Sequence, residues 1–308
     1  MKRLANERGQ AFVLTALTLA VLLGMTVLVL DVGAWFRTKR RLQATADAAA
    51  LAGAQALPDT PGTATQWALT YGDKNGGGVA AADVVITSTN SANDTIAVRA
   101  KKSQVGIFSR VFGINLVNIG ANAKALVGSP QQAMYVAPMV VYCDHPLIKD
   151  CTGKKTPQFN KATSLPYNPL GAPGAFGMLN LDGTQGTVGT SKEAAWILTG
   201  NTKYLPLGIY QSDPGAKFSS QNIRGALDAR IGTVLLFPVY RTLNGTGQNA
   251  KYDIIGWIGF YLTGYTVQGN SATLRGYFTT FIAHGLLANQ GNNGSPASFG
   301  VKSIQLIG

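Results

Sequence analysis

The sequence predicts an α+β protein: a long N-terminal transmembrane and stalk helix, a small α+β unit, and a β-rich C-terminal domain. Three observations carry this. Residues Ala11 to Leu30 contain no charge and are followed by a Pro-free, Ala-rich run to Leu57. Residues 58–129 then read as helix, strand, strand, helix and strand. From residue 130 onward, short apolar segments alternate with Gly, Asn and Pro turns, the pattern of a compact β domain.

The first element is justified by length. Twenty residues at a helical rise of about 1.5 Å cover the ~30 Å hydrocarbon core of a bilayer. A cleavable signal peptide has an apolar region of only ~7–15 residues before a small-residue cleavage site. Here the run ends in Asp31-Val-Gly-Ala-Trp-Phe-Arg37, with aromatics and then cations at the interface, which reads as a retained anchor. Residues 1–10 form a short head and 11–36 the transmembrane helix, oriented with the N-terminus in the cytoplasm. Asp31 sits at the membrane boundary, either neutralising a neighbouring subunit's cation or N-terminus or acting as a plain interfacial charge. Arg37, Lys39, Arg40 and Arg41 form the one dense basic cluster, placed to touch lipid phosphates.

The helix continues through residues 37–57, since Ala is the best helix former, and Pro58 ends it. Leu42, Ala46, Ala49, Gly53 and Ala56 recur at spacings of four and three, a stripe of small residues that lets backbones approach closely. Two readings stand side by side: the stripe lies beneath the protein's own sheet, or it packs against identical or related helices. In the unit that follows, a short helix at 64–71 precedes a Gly-rich turn at 72–78. Strands are expected at 83–88 and 95–101, a short helix at 107–112, and a strand at 116–127. The Gly-rich turn lacks the Gly-Lys-Ser/Thr of a phosphate loop.

Composition limits the chemistry. Hydrophobic residues make up 46% and charged residues 13% of the 308 positions, and the only glutamates are Glu7 and Glu193. With two cysteines and two histidines, His145 and His284, little is present to build a metal centre or a carboxylate-rich active site. No cofactor and no catalytic residue is expected. The formal net charge of +12 is spread thinly outside the one cluster, without aromatic interleaving, and points away from nucleic acid. Cys143 and Cys151 bound a short loop and are expected to form a disulfide. A metal or redox site using Asp144, His145 and Asp150 is the alternative, but it fits no ligand spacing. His284 reads as structural, and Asp182 and Asp228 as turn and helix-surface residues. Trp257, Phe260, Tyr261, Tyr265, Tyr277, Phe278 and Phe281 divide by strand alternation between core and a face able to hold sugar or a partner.

The opening resembles the TadE/TadG-like proteins of Tad (Flp, type IVc) pilus systems. The residues that carry this are Glu7-Arg8-Gly9-Gln10, Leu30-Asp31-Val32-Gly33, Arg40-Arg41-Leu42-Gln43 and Ala46-Asp47-Ala48-Ala49-Ala50-Leu51-Ala52. Phe108 to Ile114 with Ile119 to Ala125 is similar to the short helix and final strand of such pilin-like units. Segments 176–183 and 239–265 are similar to the distal half of TadG-like proteins. The sequence departs from the pattern at Leu14, which stands where related pilins carry Glu five residues after the cleavage-site Gly. Gly9 and Gln10 are the candidate processing site by position in the motif, and the Leu14 departure speaks against their being cut. No Asp-x-Ser-x-Ser run is present, so no von Willebrand A domain is expected. The resemblance implies a non-enzymatic, single-pass membrane component of a pilus, with its bulk outside the cytoplasm. Its implied partners are membrane lipid, pilus or pseudopilin subunits, Tad assembly proteins and further copies of itself. A surface adhesion or carbohydrate-binding module is the first alternative, and a stalked secreted hydrolase the second.

Overall fold

The architecture is mixed α+β, opening with one long apolar helix. The computed structural model describes residues 7–184, 186–215, 217–283, 285–287 and 298–307. His284 and the first six residues of the expected cytoplasmic head lie outside them. The chain divides into two compact units: one runs to Leu126 and also takes the last residues from Leu306, and the other runs from Val127 to Gln305.

In the first unit, α1 (Glu7–Ala54) is a single 48-residue helix. Its N-terminal half is bare: Phe12, Leu14, Leu22 and Val29 are all more than half exposed. Thr15, Thr18 and Thr26 donate their hydroxyls to the carbonyls of Ala11, Leu14 and Leu22 at 2.8–2.9 Å. These polar groups are thereby satisfied within the helix, as a lipid environment requires. The C-terminal half packs on α2 (Pro61–Lys74), which carries Pro in its first turn, where the missing N–H costs nothing. Strands β1 (Val79–Thr87), β2 (Thr95–Val105) and β3 (Leu116–Gly128) form an antiparallel meander. β2 and β3 pair without interruption from Thr95 opposite Leu126 to Val105 opposite Leu116. Alternation puts Ile96, Val98 and Ala100 of β2 and Ile119, Ala121, Ala123 and Ala125 of β3 inward. Near the end of the chain, the Ile307 N–H donates to the Lys124 carbonyl at 2.9 Å.

The second unit is built on a sheet buried on both faces. Its strands are β4 (Pro130–Ala133), β5 (Met139–Tyr142), β6 (Ala162–Pro166), β7 (Phe176–Met178), β8 (Leu205–Pro206), β9 (Gly208–Gln211), β10 (Val234–Asn244), β11 (Lys251–Gln268), β12 (Ser271–Thr279), β13 (Phe281–Ile282), β14 (Gly285–Leu287) and β15 (Val301–Leu306). The main sheet runs β6-β12-β11-β10-β5-β7, with β9 paired to the start of β11. Its neighbours are antiparallel except for β10 and β5. A small sheet is ordered β14-β4-β8, and β13 runs parallel to β15. Helices α3 (Thr190–Thr199) and α4 (Gln221–Arg230) cover one face. There Ile197, Ile223 and Leu227 join Leu235, Phe237, Ile258, Phe260 and Phe278 in one core. The residues between them, including Leu236, Tyr240, Tyr252 and Trp257, form a second core on the opposite face. This explains why β10 reads as an apolar run from Val234 to Tyr240, since a strand covered on both sides has no polar face to display.

Differences from the sequence expectation sit at short elements. The apolar segment 134–142 is not one strand but isolated bridges at Val136 followed by β5. Strands β4, β6, β8 and β9 fall in segments whose mixed composition hides them.

In the helical half of the first unit a close approach falls at Gly53. A Cβ there would lie 2.5 Å from Ile96 Cδ1 and 2.8 Å from the Ala64 carbonyl oxygen. Because one obstacle is backbone, Gly53→Val is expected to lower stability by about 1–3 kcal/mol, read as a lower denaturant midpoint of the detergent-solubilised chain. An unchanged midpoint would place residue 53 on an open face.

Candidate docking site at the membrane boundary

Asp31 is the first charge after the twenty uncharged residues, and it is buried at 2% exposure. Its partners are backbone groups of its own chain. Oδ1 accepts from the Ile107 N–H at 3.3 Å, and Oδ2 accepts from Phe108 and Ser109 at 3.0 and 2.7 Å. These N–H groups enter the short 3-10 turn Ser109–Phe112, whose leading donors have no partner within the turn itself. The turn closes at Gly113 with φ 78°, a left-handed conformation that costs glycine little. The Ser109 hydroxyl donates to the Ile114 carbonyl at 3.2 Å. Within its own chain Asp31 is thus engaged by the turn between β2 and β3.

Helix and hairpin stay in step from there. Thr38 contacts the Gln104 side chain, Lys39 donates to the Gly120 carbonyl, and Gln43 donates to the Asn122 carbonyl at 2.9 Å. Twelve helical residues from 31 to 43 advance about 18 Å, and six strand residues from 116 to 122 advance about 20 Å. The two elements can therefore keep contact without strain. Val32, Trp35, Phe36 and Lys39 of α1 line a cleft of about 350 Å³ with Asn118, Ile119 and Gly120. A second cleft of about 460 Å³ is lined by Arg99, Lys101 and Lys102 of β2 with Ser103 and Asn118. Of the basic cluster, Arg37, Arg40 and Arg41 are exposed, while Lys39 is tied to Gly120.

The small-residue stripe has a different fate. Leu42, Ala46, Ala49, Gly53 and Ala56 are all buried. Gly53 lies against Ile96, Ala64 and Ala68, and Ala49 faces Gly72. Of its two readings, packing within the protein's own unit is the one observed, and it leaves a second helix no surface at these residues. Gly9 and Gln10 lie in the opening turns of α1.

The second unit offers structural chemistry. Cys143 and Cys151 are disulfide-bonded. His145 is buried, its ring edge-on to Phe278 with centroids 5.0 Å apart and its Nδ1 accepting from the Leu147 N–H at 3.1 Å. Burial pushes its pKa down to about 4, so the ring is neutral at ordinary pH. Asp150 accepts from the Thr152, Lys154 and Lys155 N–H groups. Asp182 pairs with Lys192 at 2.7 Å, and Asp228 accepts from the Tyr265 hydroxyl at 2.8 Å, so each has its own partner. Trp257, Phe260 and Phe278 are core residues, and Tyr261 stacks on Tyr277. Among the described residues, no group of three or more His, Cys, Asp or Glu side chains is placed to hold a metal ion.

One cluster escaped the sequence reading. Lys217 Nζ lies 2.8 Å from Asp213 Oδ2 and 3.4 Å from Glu193 Oε2, with both carboxylates 1% exposed. Spacing of 24 residues between Glu193 and Lys217 gives no periodic signal, and only the rarity of Glu marked the position. Burial raises the Glu193 carboxyl to about 7, against the pull of Lys217.

Residues 9–56 match the family model described as "Putative Flp pilus-assembly TadE/G-like". The resemblance read from the opening residues is borne out over this stretch, which is nearly all of α1 and the turn after it. No curated protein and no solved structure matches the chain.

Two expectations follow. Asp31→Ala removes three acceptor contacts to backbone donors. Hydrogen exchange at amides 107–109 should accelerate about ten- to hundred-fold, as expected for losing charge-assisted bonds. Unchanged exchange would show that the turn holds itself. For Glu193, a pKa raised in the folded state means that the native protein binds the proton more tightly. Its contribution to stability is therefore present below about pH 4.5 and is lost as pH rises to about 7. His145, lowered by burial, acts oppositely and favours folding as pH rises from about 4 toward 6.5. Glu193→Gln should then match the wild type near pH 4.5 and exceed it at pH 8 in denaturant midpoint. A variant less stable at pH 8 would reverse the assignment.

Proposed function

We propose that this chain is a membrane-anchored structural component of a Tad (Flp, type IVc) pilus or related envelope filament. In this reading α1 spans the cytoplasmic membrane with its N-terminus inside. Both compact units lie outside the cytoplasm, and the protein acts by packing and protein–protein contact with other pilus subunits, assembly proteins or further copies of itself. It carries out no chemistry. The observation that carries this is the division of α1: one half is apolar and bare, and the other is sunk into a folded unit. The family match over residues 9–56 supports the pilus assignment. Since the small-residue stripe is used internally, helix partners would have to meet the apolar half between Ala11 and Leu30. The buried positions of Trp257, Phe260 and Phe278 remove much of the basis for an aromatic sugar-binding face.

The test is deletion of the gene in the native host, followed by shearing of surface filaments and assay of both filament and membrane fractions. Filaments should be lost on deletion and restored by the full chain, but not by a chain carrying Leu22→Arg, because a charge at mid-span costs about 2.5–3.5 kcal/mol of insertion. Mass spectrometry of the N-terminus then separates the two roles. A chain starting at Gln10 in fibres is a processed subunit, and one starting at Met1 or Lys2 in membranes is a fixed anchor. Normal filaments in the deletion strain would end the pilus reading.

A further inference from the structure

We infer that the β2–β3 turn is a second membrane contact, an apolar tip that dips into the outer face of the same bilayer α1 crosses. The inference rests on the reading that α1 spans a membrane. The turn between Val105 and Leu116 is unusual for a loop joining exposed strand ends. Val105, Ile107, Phe108, Ile114 and Leu116 are 46, 70, 37, 45 and 56% exposed. Apolar side chains clustered on one turn mark a surface that something covers.

What covers them follows from where the turn is tied. The backbone N–H groups of residues 107–109 are bonded to Asp31, one residue past the uncharged run that ends at Leu30. An apolar helix half placed in hydrocarbon therefore brings this turn to the interface at the same depth. Phe36, on α1 just beyond Asp31, is 66% exposed. The charges nearby have the sign a bacterial or other anionic headgroup layer selects. Arg110 is exposed within the turn, and Arg99, Lys101 and Lys102 line their cleft a few residues up β2. Apolar residues at the tip with cations one step behind form the arrangement of a peripheral segment lying about 5–10 Å into the headgroup and acyl boundary. A second copy of the chain would meet this same surface with like charge, which disfavours it as the occupant.

The tie also gives the contact a mechanical role. A single helix crossing a bilayer leaves the unit above it free to tilt and rotate. A second apolar foothold, fixed to the helix through Asp31, sets the unit's orientation on the membrane.

The test uses the full chain reconstituted in vesicles of phosphatidylcholine and phosphatidylglycerol. Single cysteines are labelled with an environment-sensitive fluorophore, and the native pair does not compete because it is a disulfide. Probes replace Ile107 and Leu116 at the tip, Leu22 in the span and Ala92 in the β1–β2 loop. The last is separated from the tip by the length of β2, roughly 30 Å or more. Each replaced side chain is exposed, so folding is retained. Emission at 107 and 116 is expected to shift to the blue and to lose most of its intensity with lipids brominated near the headgroup. Leu22→Cys should be quenched by deeper bromines, and Ala92→Cys should stay solvent-like. If 107 and 116 are solvent-like while 22 is quenched, the inference is overturned and the anchor stands. If they shift but resist every brominated lipid, protein covers the tip and the inference fails equally. If 22 itself is unquenched, the spanning reading falls, and this one with it.

Discussion

The carboxylate of Asp31 receiving three backbone N–H groups is the constraint on which the arrangement of the first unit depends. A charge one residue beyond twenty apolar residues would ordinarily stay hydrated. Here it is buried and satisfied by the β2–β3 turn, so the end of the apolar helix and the end of the hairpin cannot separate without exposing unmatched donors and an unmatched anion. Every later contact between α1 and the sheet, from Thr38 to Gln43, inherits its register from that clamp. Hydrogen bonds to a charged acceptor are stronger than neutral ones, and three of them act here at one carboxylate.

The second half of α1 is held by shape. Alanines on β2, β3, α2 and α1 leave so little bulk between backbones that Gly53 is the only side chain the meeting point with Ala64 accommodates. Close packing of small residues gains dispersion contacts while giving up little side-chain entropy. It also has a functional consequence. In the proposed reading, a stripe spent inside the protein leaves assembly contacts to the bare apolar half, so one helix would separate folding from docking.

In the second unit, stability is drawn from a sheet covered on both faces, and its polar interior includes a small set of paired groups. Lys217 sits between Asp213 and Glu193, and the disulfide closes the loop that holds His145 against Phe278. Among the described residues, Gln211 Oε1, Arg230 Nε and the Tyr252 hydroxyl are buried without a hydrogen-bond partner, and at Glu193 the pKa is moved toward neutrality, the usual answer of a carboxyl to burial.

The sequence by itself determined the elements with long, regular signals. The long helix, the hairpin from Thr95 and the apolar stretches 234–240 of β10 and 254–262 of β11 follow from hydrophobicity, Ala content and alternation, which are local properties of the chain. The short strands β4, β6, β8 and β9 were not legible, because their few residues gain order only from neighbours remote in sequence. The same reason governs the site. Asp31 and the small-residue stripe could be picked out by position and spacing, but which surface they face is a matter of three-dimensional proximity. Only the tertiary structure decided that the stripe turns inward, that Asp31 binds a turn 76 residues away, and that Lys217 joins two carboxylates. Spacing along a chain fixes which side chains share a face, whereas the partner across that face is chosen by how the whole chain closes.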